Sequence, residues 1–229
     1  MRKILYSATA ILALALSLVS CNKDDSTPTY KETRWILEQP TEKFGNTLVF
    51  DWDYKTPPAS LDLWVLVKAA LMNPELFSLE GEKMDFEHFI AKIFNGVMFY
   101  NDGCATCFYR PKPYTGEWIE TSPKNVVTYE GYEEKNTIFM RLNLEIIEGL
   151  LVGELGEERA ALIMRLLPEY VPAGYVLSRD KFSLYLTKDT IAPIISSILP
   201  FLGFQELTDL VDECIQNTEY LKFGFNFHK

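Results

Sequence analysis

The chain has 229 residues, long enough for one domain with a sizeable core, and its 48% hydrophobic and 14% aromatic content excludes a disordered polypeptide. Lys and Arg number 22 against 32 Asp and Glu, a formal charge of −10 at pH 7 that argues against nucleic acid and against a polybasic grip on anionic lipid. Four cysteines are too few for a disulfide-dense scaffold.

The first element is a leader. Met1-Arg2-Lys3 is followed by an apolar run over residues 4–19, closed by Ser20-Cys21. A short basic head ahead of an apolar stretch too short to span a bilayer predicts a secretory signal peptide over residues 1–20. Leu18-Val19-Ser20-Cys21 resembles the bacterial lipobox. That resemblance implies that Cys21 is diacylated and becomes the new N-terminus, a lipidation site and not a redox residue. Each buried CH₂ contributes about 0.8 kcal/mol, so several acyl chains hold a protein firmly at a membrane.

Residues 22–29 are polar, charged and interrupted by Pro28, with nothing to bury, so residues 21–33 are expected to form an acidic flexible tether. Lys23-Asp24-Asp25 is similar to the short tag that sends Bacteroidetes lipoproteins to the outer face of the outer membrane, although an ordinary solvated linker has the same composition. Residues 1–25 therefore resemble an uncharacterised Bacteroidetes surface lipoprotein. The resemblance implies an outer-membrane location, lipid-anchored and exposed at the cell surface.

Residues 34–229 are expected to form a single α+β domain. Leu48, Phe50, Trp52 and Tyr54 alternate with Val49, Asp51 and Asp53, which predicts a strand with one wet face. The same period recurs at Ile138, Met140, Leu142 and Leu144, at Phe182, Leu184 and Leu186, and at Leu221, Phe223, Phe225 and Phe227. Helical spacing appears at Phe86, Phe89, Ile90, Ile93 and Phe94, at Ile191, Ile194, Ile195, Ile198 and Leu199, and at Leu207, Leu210, Val211, Cys214 and Ile215. Residues 61–72 are read as helix ahead of Asn73-Pro74, residues 144–152 as the start of one, and residues 157–167 as another that Pro168 stops. Residues 97–110 read as a hairpin turning at Asp102-Gly103, and residues 126–129 as a short strand.

Three strand–helix–helix–strand units emerge, over residues 46–101, 136–179 and 181–227. A pair of antiparallel helices returns the chain as an antiparallel neighbour. The expected architecture is an antiparallel, curled sheet with helical hairpins inserted between strands, or alternatively an open barrel plugged by helices.

Chemistry-bearing motifs are sparse. Cys104-Ala105-Thr106-Cys107 is a C-x-x-C, but the residues after it favour strand or loop, and no second pair is spaced to complete a zinc site. Cys214 falls on an apolar stripe, His88 falls off one, and His228 is penultimate. No G-x-S-x-G, H-E-x-x-H or phosphate-cradling glycine loop occurs. Asp51 and Asp53 share a strand face, where paired carboxylates suit glycoside hydrolysis and a solvated sheet surface is the plainer explanation. Tyr109, Tyr114, Trp118, Tyr129 and Tyr132 cluster in the least regular segment, beside Phe108, Arg110 and Lys112. Flat rings with a polar edge suit stacking on sugar or docking a partner, and they also pack beneath their own loops. The helix over residues 190–199 has an uncharged second face (Thr190, Ala192, Pro193, Ser196 and Ser197), which fits burial in the core or against an apolar ligand cavity.

The expectation is a lipid-anchored, non-catalytic binding protein of the cell envelope, without cofactor or metal, taking a glycan or an apolar small ligand. A glycan hydrolase using paired carboxylates and an accessory or structural subunit of an envelope complex are the alternatives.

Overall fold

In the computed structural model, residues 30–58, 62–110, 116–120, 124–127, 135–141, 148, 152, 156–198 and 205–229 are described. Residue alternation becomes strand across the domain. In β2 (Leu48–Tyr54), Leu48 is buried while Asp51 and Asp53 are exposed. The other strands are β1 (Arg34–Leu37), β3 (Phe77–Leu79), β4 (Glu82–Met84), β5 (Phe94–Phe99), β6 (Cys104–Tyr109), β7 (Ile119–Glu120), β8 (Lys124–Val127), β9 (Thr137–Arg141), β10 (Tyr170–Leu177), β11 (Lys181–Thr187) and β12 (Thr218–His228). The helices are α1 (Leu63–Leu71), α2 (Phe86–Ile93), α3 (Glu157–Met164), α4 (Lys188–Ile198) and α5 (Gln205–Asn217). Asp62 and Asp85 start α1 and α2 by accepting the Val65 and His88 backbone N–H groups, each at 3.0 Å.

The fold is α+β, built on a large antiparallel sheet in the order β1-β5-β6-β8-β9-β10-β11-β12-β2, with β7 also on β6 and β3–β4 as a separate hairpin. The organising element is β12, 11 residues long. One edge pairs with β11 from Thr187↔Lys222 to Lys181↔His228. The other edge pairs first with β2, Leu221 opposite Trp52 and Phe225 opposite Leu48, and then with β1 through Leu37↔Phe227 and Ile36↔His228. Strand β1 also pairs with β5, so it lies between β5 and the end of β12 in a strongly curled sheet. The approach of β1 to β5 requires Gly96, where a Cβ would lie 2.0 Å from the Trp35 carbonyl oxygen.

Two of the expected units have the expected pairing: β9 lies antiparallel to β10, and β11 to β12. The first unit does not. Strand β2 pairs with β12 and β5 with β1 and β6, because the β3–β4 hairpin separates α1 from α2 and no helical hairpin returns the chain beside β2. Of the helix expected over 144–152, only residues 148 and 152 are described.

The packed domain also begins before residue 34. Tyr30 is fully buried, its carbonyl accepts the Trp35 indole N–H at 2.8 Å, and its ring centroid lies 5.1 Å from that of Tyr175 and 5.4 Å from that of Phe99. Glu32 N–H donates to the Phe99 carbonyl at 2.6 Å. Residues 30–33 thus belong to the domain and not to the tether, since an aromatic side chain at Tyr30 gains more from the core than from water. Residues 1–29, which hold the leader, Cys21 and the rest of the expected tether, lie outside the described residues.

The concave face of the sheet carries the core. Trp35, Phe182 and Phe227 pack there with Tyr30, and the centroid distances are 5.2 Å for Trp35–Phe182 and 5.9 Å for Phe182–Phe227. Towards the start of β12, Trp64, Cys214 and Leu221 form a second cluster beneath α1 and α5.

A candidate binding hollow

A hollow opens on the concave face, lined by residues of β5, β6, β9, β10, β11 and β12. Phe94, Phe99, Phe223, Phe225 and Phe227 frame it, with Met140, Leu184 and Leu186 between them. Its physical origin is a size mismatch. At the inner positions of β6 and β10, where neighbouring strands present Phe, Leu or Met, the chain has Ala105 and Ala173, exposed by 5% and 0%. Close packing elsewhere holds the walls apart, so the missing side-chain volume persists as space. That space is a narrow cavity of about 30 Å³. A water needs about 10–15 Å³ of such space, so the side chains as they stand leave room for about two or three. The lining contains no Asp, Glu, Lys, Arg or His.

The aromatic residues expected to bind ligand lie elsewhere, where they are described at all. Tyr109 ends β6, 39% exposed and paired with Ile119. Trp118 lies beside that pair, one face occupied by Arg110, whose Cζ is 4.0 Å from the ring centroid. Tyr114, Tyr129 and Tyr132 fall outside the described residues. Neither Tyr109 nor Trp118 lines the hollow.

The remaining candidates also find places. Asp51 and Asp53 sit on the outer sheet face, and the Tyr220 hydroxyl donates to Asp51 at 3.3 Å. His88 is held by its own helix cap, Nδ1 2.9 Å from Asp85. His228 lies 3.3 Å from Glu38. Cys107 is opposite Val97 and lines the hollow, whereas Cys104 is opposite Asn125. Among the described residues, no group of three or more His, Cys, Asp and Glu gathers as metal ligands would, and no helix is long and apolar enough to cross a membrane. The uncharged face of α4 does not line the hollow: Thr190 donates to the Pro172 carbonyl at 2.8 Å and Ser196 to Asp212 of α5 at 2.8 Å, while Pro193 is exposed.

Two buried polar sites have no counterpart in the sequence patterns. Glu87, 2% exposed on α2, accepts backbone N–H groups from Gly45 at 3.1 Å, Thr47 at 2.9 Å and Leu48 at 2.7 Å, all at Oε1. It anchors the start of β2 to α2. Near the base of α5, the Trp64 indole N–H donates to Thr218 Oγ1 at 2.8 Å, and Thr218 donates to the Cys214 carbonyl at 2.6 Å. Tyr54 donates to Asp62 at 2.5 Å, with its oxygen 3.8 Å from Cys214 Sγ. Burial, then the hydrogen bond to Asp62, pushes the Tyr54 hydroxyl far above the ordinary phenol range. Burial likewise raises the Cys214 thiol, against hydrogen bonds from Tyr54 and Thr218 that pull it down, so the sulfur stays a protonated core group.

Comparison of the chain with protein-family models, curated proteins and solved structures finds no match. The functional reading therefore rests on the residues alone.

Proposed function

We propose that this protein is a lipid-anchored, non-catalytic binding lipoprotein of the cell envelope, whose domain takes an apolar small ligand in the concave hollow. One observation carries the reading: an uncharged hollow, framed by phenylalanine rings and opened by two alanines, in the middle of an otherwise close-packed core. Burial of apolar ligand surface there is favourable by about 25 cal/mol per Å². A guest larger than two or three waters requires the framing rings to turn before it can be buried there. Anchorage is supported by the lipobox-like residues around Cys21. The glycan alternative is weakened where Arg110 already covers one face of Trp118, and the hydrolase alternative where Asp51 and Asp53 face outward from a sheet surface.

The test is a fluorescence titration of the purified domain with N-phenylnaphthylamine, a neutral apolar dye. Saturable binding at one site per chain is expected; a linear, non-saturating signal would overturn the reading. Anchorage is tested in cells by Cys21→Ala, which should abolish incorporation of labelled fatty acid, and continued labelling would remove the anchor.

A further inference from the structure

We infer that the hollow selects uncharged guests: an alkyl alcohol, an ester or a hydrocarbon chain, to the exclusion of carboxylate and ammonium amphiphiles of the same length. The inference rests on the reading of the hollow as the ligand site and concerns what that site rejects.

The hollow has no counter-charges. The lining offers an incoming carboxylate no cation and an incoming ammonium no anion. Cationic side chains on the framing strands are engaged elsewhere. Arg141 at the end of β9 is 2.9 Å from Glu169, and Lys181 of β11 and His228 of β12 converge on Glu38 at 3.5 and 3.3 Å. Lys222 of β12 points to the opposite face, its Nζ 5.2 Å from the Tyr185 ring and 5.7 Å from the Tyr220 ring. The polar residues in the lining are Thr106, Cys107 and Tyr185, all neutral, and the Tyr185 ring itself lies with Lys222 on the opposite face. An ion carried into such surroundings without a partner loses its hydration and regains little of it, so a carboxylic acid enters as the neutral acid or not at all. The alkyl part gains the same burial whichever head it carries. Selectivity therefore comes from the head group, and for an acid it varies with pH.

The test is competition against bound N-phenylnaphthylamine by decanol, methyl decanoate, decanoate and decyltrimethylammonium, each below its aggregation concentration, on the purified domain and on Ala173→Leu. Ala105→Val serves as a second filled variant should the first fail to fold. Decanol and methyl decanoate should displace the dye at least about tenfold more tightly than either ion at neutral pH. Decanoate should gain affinity as pH falls through the carboxylic range, while the alcohol does not change. Should an ion compete as well as the alcohol, and the filled variants block both, the selectivity falls and the hollow remains the ligand site. Should no amphiphile displace dye, or the filled variants change nothing, both the selectivity and the reading beneath it are overturned.

Discussion

Glu87 gives the sharpest test of how the domain is held together. Its Oε1 collects three backbone donors, of which the Thr47 and Leu48 bonds, at 2.9 and 2.7 Å, are buried. Glu87→Ala leaves those two N–H groups without an acceptor. At about 1–3 kcal/mol for each stranded buried donor, the cost is about 2–6 kcal/mol. Glu87→Gln keeps an acceptor oxygen but exchanges charge-assisted bonds for neutral ones, a cost of about 1–2 kcal/mol. Urea unfolding followed by tryptophan fluorescence reads both. With a slope of about 1–3 kcal/mol/M, Glu87→Ala should lower the midpoint by at least about 0.7 M, with Glu87→Gln between it and the parent. A midpoint for Glu87→Ala within about 0.3 M of the parent would refute the reasoning, because it would mean that water or another group satisfies those donors at no cost.

Two further outcomes follow from single contacts. Trp64→Phe keeps the ring stacked beneath α5 but loses the indole N–H to Thr218, and should cost about 1–2 kcal/mol by urea unfolding; Thr218 still donates to the Cys214 carbonyl, so the helix end should hold. Tyr100, whose hydroxyl donates to Glu120 at 2.9 Å, is pushed up to about 12 by burial and then by that bond. The folded state therefore keeps its proton while the unfolded chain loses it near pH 10. The contribution of this group to stability is complete below pH 10 and is lost as pH rises to about 12, and Tyr100→Phe should flatten that part of the profile. Ultraviolet titration should show that Tyr100→Phe removes one ionising tyrosine from the limb near pH 12 and none from the limb near pH 10.

What was legible in the sequence was whatever has a local period. The alternation of Leu48 to Tyr54 and of Leu221 to Phe227 is the imprint of a strand with one dry face, and Asn101-Asp102-Gly103 marks a turn at which Gly103 adopts φ 76°. Partner choice is not local. That β2 lies against β12, more than 160 residues later, depends on Phe50 facing Phe223 and Leu48 facing Phe225, and several equally apolar strands would have fitted the pattern. Glu87 looks like an ordinary polar residue of an amphipathic helix, and its burial becomes intelligible only with the loop that aims three N–H groups at it. The hollow left a fainter trace. Small residues at Ala105 and Ala173, in step with the apolar faces of their strands, are visible in the sequence, but not that both open onto one space. The aromatic segment drew the expected site because exposed-looking rings signal recognition by composition alone, and Trp118 shows how readily a neighbouring cation uses such a ring.

The central claim is that the space left by Ala105 and Ala173 is a binding site and not a packing defect. A single measurement addresses it: the dye titration repeated on Ala173→Leu, whose added carbons occupy the hollow. The account expects a folded protein of equal or higher Tm that has lost saturable binding, because the new side chain takes the volume the ligand would use. Unchanged affinity in a folded Ala173→Leu would contradict it.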